Sequence, residues 1–415
     1  MKGTLFSVGA GCLMVLLLWH AAIAQAPLTL DSIIERVLQR NLAVEAARHR
    51  VERARAEQIA APLRPNPSLT VAAENLKLSG PTSFGELYEI SGTYSQPIEL
   101  GDKRRLRREV ADQGVSVAEA QLAELLQQRL FEAKRVYYEL LLARGSLEQA
   151  MEQRGAFGEL VRFNQVRFEE GEIAEGELLK VKLERVKFDA AVAQAQLAVR
   201  QAGIKLLDLL GESEFSAAGQ VAGELRLTPF AVDLAPLRET ALNNRPALQV
   251  AERSALLTER RIALERARAF PDVSPFVGAK RVGENNTVLF GVTIPLPFSD
   301  RNQAAIARAI ADEKVAQAEF AIQRNRVLAD VESAFRAWEI AREQVAVFEG
   351  GLLSQADESL AIARAAYQEG GIELLGLLEA QRARAEIRQQ YLRSLFDHQV
   401  SLGLLELAVG KTPGS

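Results

Sequence analysis

The 415-residue chain is 48% hydrophobic and carries 54 acidic against 50 basic side chains, a formal charge of −4. That balance excludes the basic face that a nucleic-acid binder needs. Beyond the N-terminal segment no run approaches the roughly 18 apolar residues of a membrane-spanning helix, so any membrane role falls to strands.

Residues 1–24 have the layout of a secretory signal: Lys2, an apolar core from Met14 to Trp19, and the small-x-small site Ala22-Ile-Ala24. Cleavage there removes Cys12, the one cysteine, and leaves an exported chain without thiol chemistry. Residues 28–61 read as two helices. Leu30, Ile33, Ile34, Val37 and Leu38 form one apolar face, Asn41 interrupts it, and Ala43 to Ala61 runs on until Pro62, Pro65 and Pro67. A strand pair is expected over about 66–97, as Ser68 to Leu76 and Glu86 to Gln96, joined by a Gly-, Pro- and Ser-rich loop. In the second strand Tyr88, Ile90, Gly92 and Tyr94 alternate with Glu89, Ser91, Thr93 and Ser95.

From Asp102, the expected N-cap, to about Val166 there is no proline. Ala133, Val136, Leu140, Ala143, Leu147 and Ala150 step by three and four, the spacing of a coiled-coil seam. Such a rod is about 100 Å long, far beyond an ordinary globular helix. Lys103, Arg104, Arg105, Arg107 and Arg108 crowd its start, where the helix dipole disfavours cations. The expectation is a solvated collar, with anionic lipid headgroups nearby as the alternative. The rod ends at Phe168-Glu-Glu-Gly-Glu-Ile173, and a return helix from about Glu177 stops at Gly211.

After a linker at 212–232 the pattern repeats. Leu237 to Asn243 and Pro246 to Ala269 match the opening helices. A strand pair over about 271–297 turns at Gly283-Glu-Asn-Asn286, and Gln96 to Asp102 aligns with Ile294 to Asp300. A second unbroken rod is expected from Arg301 to Ala365, with Val327, Val331, Ala334, Trp338, Ala341, Val345, Phe348 and Leu352 as its seam. Tyr367-Gln-Glu-Gly-Gly-Ile372 matches the first tip. The chain thus divides into a first repeat, 25–211, with a long helical hairpin at 102–211, and a second, 233–411, with its hairpin at 300–410.

Four strands cannot close a barrel, and lipid does not tolerate open edges, so a membrane role requires two or three chains to pool strands. The alternative is a soluble sheet capping a helical bundle, an envelope scaffold. No phosphate loop or nucleophile motif is present, and His49 and His398 lack partners at metal-ligand spacing. Both histidines read as helix-surface residues. No cofactor, resident metal or enzyme activity is expected.

The duplicated plan, the run Pro97-Ile-Glu-Leu-Gly-Asp-Lys-Arg104 leading into the rod, and the two tips resemble the TolC family of outer-membrane efflux channels over residues 28–411. The tips are Phe168-x-x-Gly171-x-Ile173 with Leu178-Leu179, and Tyr367-x-x-Gly370-x-Ile372 with Leu377-Leu378. The Pro97 to Arg104 run is similar to the CzcC-type branch, which serves heavy-metal efflux pumps. The resemblance implies a mainly α chain with a transmembrane β-barrel and an internal two-fold repeat. It implies a homotrimer in the outer membrane of a Gram-negative bacterium, with a twelve-stranded barrel and a helical tunnel through the periplasm. It further implies a periplasmic adaptor, an inner-membrane pump of RND type, and heavy-metal cations as cargo. Multidrug efflux and type I protein secretion are the alternative duties. Gly171, Glu172, Ile173, Gly370, Gly371 and Ile372 would form the adaptor-docking tips. Tyr367 and Glu379 would form the gate, and Gly376 falls where the family has a second acidic residue.

Overall fold

The computed structural model describes residues 28–76, 79, 88–212, 221–228 and 233–411. The expected signal segment, the loop joining the first two strands and most of the linker 212–232 lie outside the described residues.

Each half opens with two helices meeting at a polar joint. Helix α1 (Leu30–Arg40) buries Ile33 and Val37. Helix α2 (Leu42–Ala60) starts at Asn41, whose side chain accepts from the Ala43 and Val44 amides and donates to the Leu209 carbonyl at 2.8 Å. Such a cap contributes about 1 kcal/mol. In the second half α5 (Leu234–Asn244) and α6 (Pro246–Arg268) meet at Arg245, which donates to the Leu407 carbonyl. One joint is held by an amide, the other by a guanidinium.

Beyond these joints lie the rods. Helix α3 (Lys103–Glu169) runs 67 residues unbroken, about 100 Å. Helix α4 (Glu175–Leu209) returns along it, burying Ala133, Val136, Leu140 and Ala143 against Ala202 and Leu206. Alanine at these positions lets the two axes approach closely. In the second half α7 (Gln303–Val347) packs Val327, Val331, Ala334 and Trp338 against α5 and against Leu405 and Val409 of α9 (Leu374–Val409). The expected continuous second rod is broken. A kink at Phe348–Leu352 separates α7 from α8 (Leu353–Gln368), and Gly351 there has φ 128° and ψ −11°, outside helical values. Only glycine adopts that backbone readily. The apolar steps Val345, Phe348 and Leu352 continue across Gly350-Gly351, which hides the break from a periodicity argument.

Strands β1 (Ser68–Glu74), β2 (Glu89–Ser95), β3 (Ser274–Val282) and β4 (Asn285–Thr293) form one antiparallel sheet in chain order, so β2–β3 pairing joins the halves. Val282 pairs with Asn285, leaving Gly283-Glu284 as the whole hairpin turn. Register places Leu69, Val71, Ile90, Tyr94, Val277, Val288, Phe290 and Val292 on one face, all exposed, Phe290 by 85%. The other face carries Ser68, Thr70, Ser91, Thr93, Ser95, Thr287 and the ion pair Glu89–Lys280, with Phe276, Val282 and Leu289 as its larger apolar members. Among the described residues strands β1 and β4 each keep one free edge.

The junction between sheet and rods departs from expectation. Asp102 precedes α3 with φ 60° and makes no cap; its carboxylate accepts from Arg105 instead. Asn302, φ 59°, holds the same place before α7, so Asp102 corresponds to Asn302 rather than Asp300. The basic cluster is not simply a solvated collar. Lys103 is buried and donates to the Phe270 carbonyl at 2.7 Å and to Asp272 Oδ1 at 2.6 Å. Arg104 donates to the Pro62 carbonyl at 2.6 Å, and Arg107 reaches the Ala61 and Leu63 carbonyls while pairing with Glu99. Carbonyls at the C-terminal ends of α2 and α6 thus receive the cations that the dipole of α3 disfavours. Arg105 and Arg108 remain exposed. Lys103→Met and Asp272→Asn are each expected to cost about 2 kcal/mol. The double variant should lose little more than either alone, measured by denaturant unfolding in detergent; additive losses would show the pair uncoupled.

Candidate gate and docking tip

The rods turn in the same way in both halves. Gly171 has φ 78°; its amide donates to the Phe168 carbonyl at 3.0 Å, and the Glu172 amide donates to the Arg167 carbonyl at 2.8 Å. Gly370 also has φ 78°, with Gly370 on the Tyr367 carbonyl at 3.1 Å and Gly371 on the Ala366 carbonyl at 2.7 Å. This Schellman pattern satisfies the last carbonyls of each helix and reverses the chain. A Cβ at Gly171 or Gly370 would meet no atom within 4 Å, so backbone conformation alone demands glycine and the turns stand open. Glu172 is exposed and pairs with Arg167 at 3.0 Å, while Ile173 and Ile372 are half-buried.

Above the tips Phe157, Val161, Val181 and Leu378 form a small core, with Phe188 stacked on Phe157 at 4.7 Å. Helix α8 adds nothing to it; its buried side chains are Ala356 and Tyr367. Polar contacts hold α8 instead. The Tyr367 hydroxyl donates to Asn164 Oδ1 at 2.7 Å, and Arg364 pairs with Glu159 at 3.0 Å. Asp357 accepts from Arg384 at 2.5 Å and Arg388 at 2.9 Å, and both arginines reach Glu152 of α3. Burial pushes the Asp357 carboxyl up, but the two guanidiniums outweigh it and hold it below its ordinary value. Hydrogen bonds from Lys187 and Arg382 likewise hold Glu184 low.

Tyr367 is 7% exposed and Asn164 1%, so the tyrosine is fastened within the protomer, between α8 and α3. Glu379 is exposed on α9 and makes no hydrogen bond or ion pair among the described residues. Gly376 lies against Ile372. Asn164 is the site residue that the sequence reading missed. Its signal is an amide in the seam Phe157, Val161, Asn164, where the spacing calls for an apolar side chain.

Among the described residues no group of three or more His, Cys, Asp or Glu is placed to hold a metal ion. His49 is exposed and bonded to Glu52 at 2.7 Å, as a surface residue should be. His398 corrects the expectation: it is 0% exposed, and neither ring nitrogen has a hydrogen-bond partner among the described residues. Helix α9 packs against α3, α5, α7 and α8, which leaves it little free face.

The profile of outer membrane efflux proteins matches residues 33–212 and 237–411. The chain belongs to this family. It is an outer-membrane efflux component reaching into the periplasm. This efflux protein is 25% identical over 385 residues to the cobalt-zinc-cadmium resistance protein CzcC of Cupriavidus metallidurans, covering 89% of this chain and 87% of that one. It is 32% identical over 305 residues to the nickel and cobalt resistance protein CnrC of the same species, covering 71% and 70%. Its fold matches the Campylobacter jejuni outer membrane channel CmeC with a TM-score of 0.78 at 15% identity, over 93% of this chain and 87% of that one.

Burial, aided by Arg342, lowers the His398 pKa from its ordinary value. The unfolded chain therefore takes up a proton that the native state refuses. Stability should be full above about pH 6.5 and fall as the pH drops from there toward the folded value. Thermal unfolding between pH 7 and pH 5 checks this: His398→Leu should lose less stability on acidification than the parent.

Proposed function

We propose that three copies pool their four-stranded sheets into one twelve-stranded barrel and their rods into a tunnel, forming a passive exit duct for heavy-metal cations. One observation carries this reading: a sheet with an apolar exposed face, a polar opposite face and two free edges, mounted on rods about 100 Å long. Only a closed ladder satisfies its backbone in lipid, and four strands are too few to close. Repeats 25–211 and 233–411 each supply one hairpin and one rod pair to the assembly. The open glycine turns, at the ends remote from the sheet, dock a periplasmic adaptor that couples the duct to an RND-type inner-membrane pump. The pump supplies energy and selects cargo, and the duct performs no chemistry. The names of CzcC and CnrC, which specify cobalt, zinc, cadmium and nickel, support the choice of divalent metals.

Tyr367 serves the gate as a fastener, tying α8 to Asn164 in the closed state. Glu379, exposed past the tip, places one carboxylate per chain near the axis, where three repel one another more as the opening tightens. In a strain lacking its own duct but retaining pump and adaptor, the chain should restore zinc, cobalt or cadmium tolerance. Restoration of drug tolerance alone would reassign the cargo. In planar bilayers Tyr367→Phe should loosen the closed state by about 1 kcal/mol per chain, or on the order of a hundredfold over three independent contacts. Glu379→Gln should weaken block by multivalent cations. Unchanged opening and unchanged block would remove both residues from the gate.

A further inference from the structure

The belt where the sheet meets the rods differs chemically from the rest of the chain. Segments 59–64, 98–108, 261–272 and 294–308 hold eleven lysines and arginines against five carboxylates, in a chain whose net charge is −4. The carboxylates are already engaged. Glu99 pairs with Arg107, Asp102 with Arg105, Glu265 with Arg268 and Asp272 with Lys103, while Asp300 accepts from the Asn302 amide. Arg64, Arg108, Arg266 and Arg308 are exposed, and none makes an ion pair or side-chain hydrogen bond among the described residues. Arg108 and Arg308 occupy matching places, each about 8 Å below the start of its rod. Arg266 lies in the last turn of the antiparallel α6.

The same belt is apolar. Ile98 and Leu100 continue the alternation of Tyr94 past β2, and Leu296 and Phe298 continue that of Val292 past β4. All four are exposed, Phe298 by 79%, and exposed Leu63 and Phe270 join them. An apolar stripe ending in unpaired guanidiniums marks a membrane–water interface. Guanidinium matches the geometry of phosphate oxygens, and arginine stems let the charge reach upward from below the boundary.

We infer that this belt binds the headgroups of anionic phospholipids in the periplasmic leaflet. The inference rests on the duct reading above, which places the sheet in the membrane and the rods beneath it. Zwitterionic lipid also carries phosphate, but its ammonium is repelled by the excess arginines, so the belt selects net negative charge.

The test begins with full-length protein, purified and delipidated in detergent, and offered phosphatidylglycerol or phosphatidylethanolamine. Native mass spectrometry counts the lipids retained. Phosphatidylglycerol should be retained about tenfold better, and the preference should shrink as salt rises. Combining Arg64→Gln, Arg108→Gln, Arg266→Gln and Arg308→Gln should bring the two lipids to parity without preventing insertion into phosphatidylethanolamine vesicles. Equal retention by the parent, a preference indifferent to salt, or one that survives in the fourfold variant would each overturn the inference. Displacement of phosphatidylglycerol by equimolar inorganic phosphate would make the belt a free-phosphate site and overturn it too. A parent that enters neither neutral nor anionic vesicles would bring down the duct reading itself, whereas insertion without lipid preference would bring down this inference alone.

Discussion

Lipid offers no partner to an unpaired backbone amide, and each one left open there costs several kcal/mol. The molecule is arranged around that constraint. Its four strands satisfy one another internally but leave β1 and β4 each with an unpaired edge. Duplication supplies the middle pairing, since β2 and β3 belong to different halves. In the assembly proposed above, other copies complete the outer edges and the rods below hold those copies in register. The junction is tied accordingly: Lys103 joins the head of the first rod to Phe270 and Asp272 at the end of the second half's helix pair.

The two halves agree where backbone geometry allows one solution and diverge where side chains act. Gly171 and Gly370 share one φ. At Gly211 a Cβ would sit 2.9 Å from the Arg40 carbonyl, and at Gly410 2.8 Å from that of Asn244, so each rod pair ends on a glycine pressed against its opening helices. By contrast, Asn41 and Arg245 hold equivalent joints with different chemistry. The Asn164 amide receives Tyr367 from the other half of the chain.

Much of the architecture was legible because it is written in spacing. Steps of three and four mark the seams, alternation marks the strands, and paired glycines mark the tips. What stayed hidden depends on partners distant in sequence. The arginines after Asp102 look solvated until the ends of α2 and α6 are placed beside them. His398 looks like a surface residue until α9 is seen packed against α3, α5, α7 and α8. Tyr367 could be picked from the tip motif, but its partner at Asn164 lies 203 residues away. The break at Gly350-Gly351 was masked for the opposite reason: local spacing continued smoothly through it.

That break bears on symmetry. In the trimer proposed above, two similar halves per chain would give six near-equivalent rod pairs, a pseudo-sixfold cylinder. The approximation holds near the membrane, where α3 and α7 start alike at Asp102 and Asn302. At Gly351, φ 128° and ψ −11°, the backbone leaves helical values and the second rod kinks. Among the described residues only the second rod is interrupted in this way, and past the kink α8 sinks little beyond Ala356 and Tyr367 into the protein, whereas α3 runs on unbroken. In that trimer the sixfold likeness would be lost below Gly351, leaving threefold symmetry alone. On the docking proposed above, a partner approaching the tip would meet two kinds of groove in alternation.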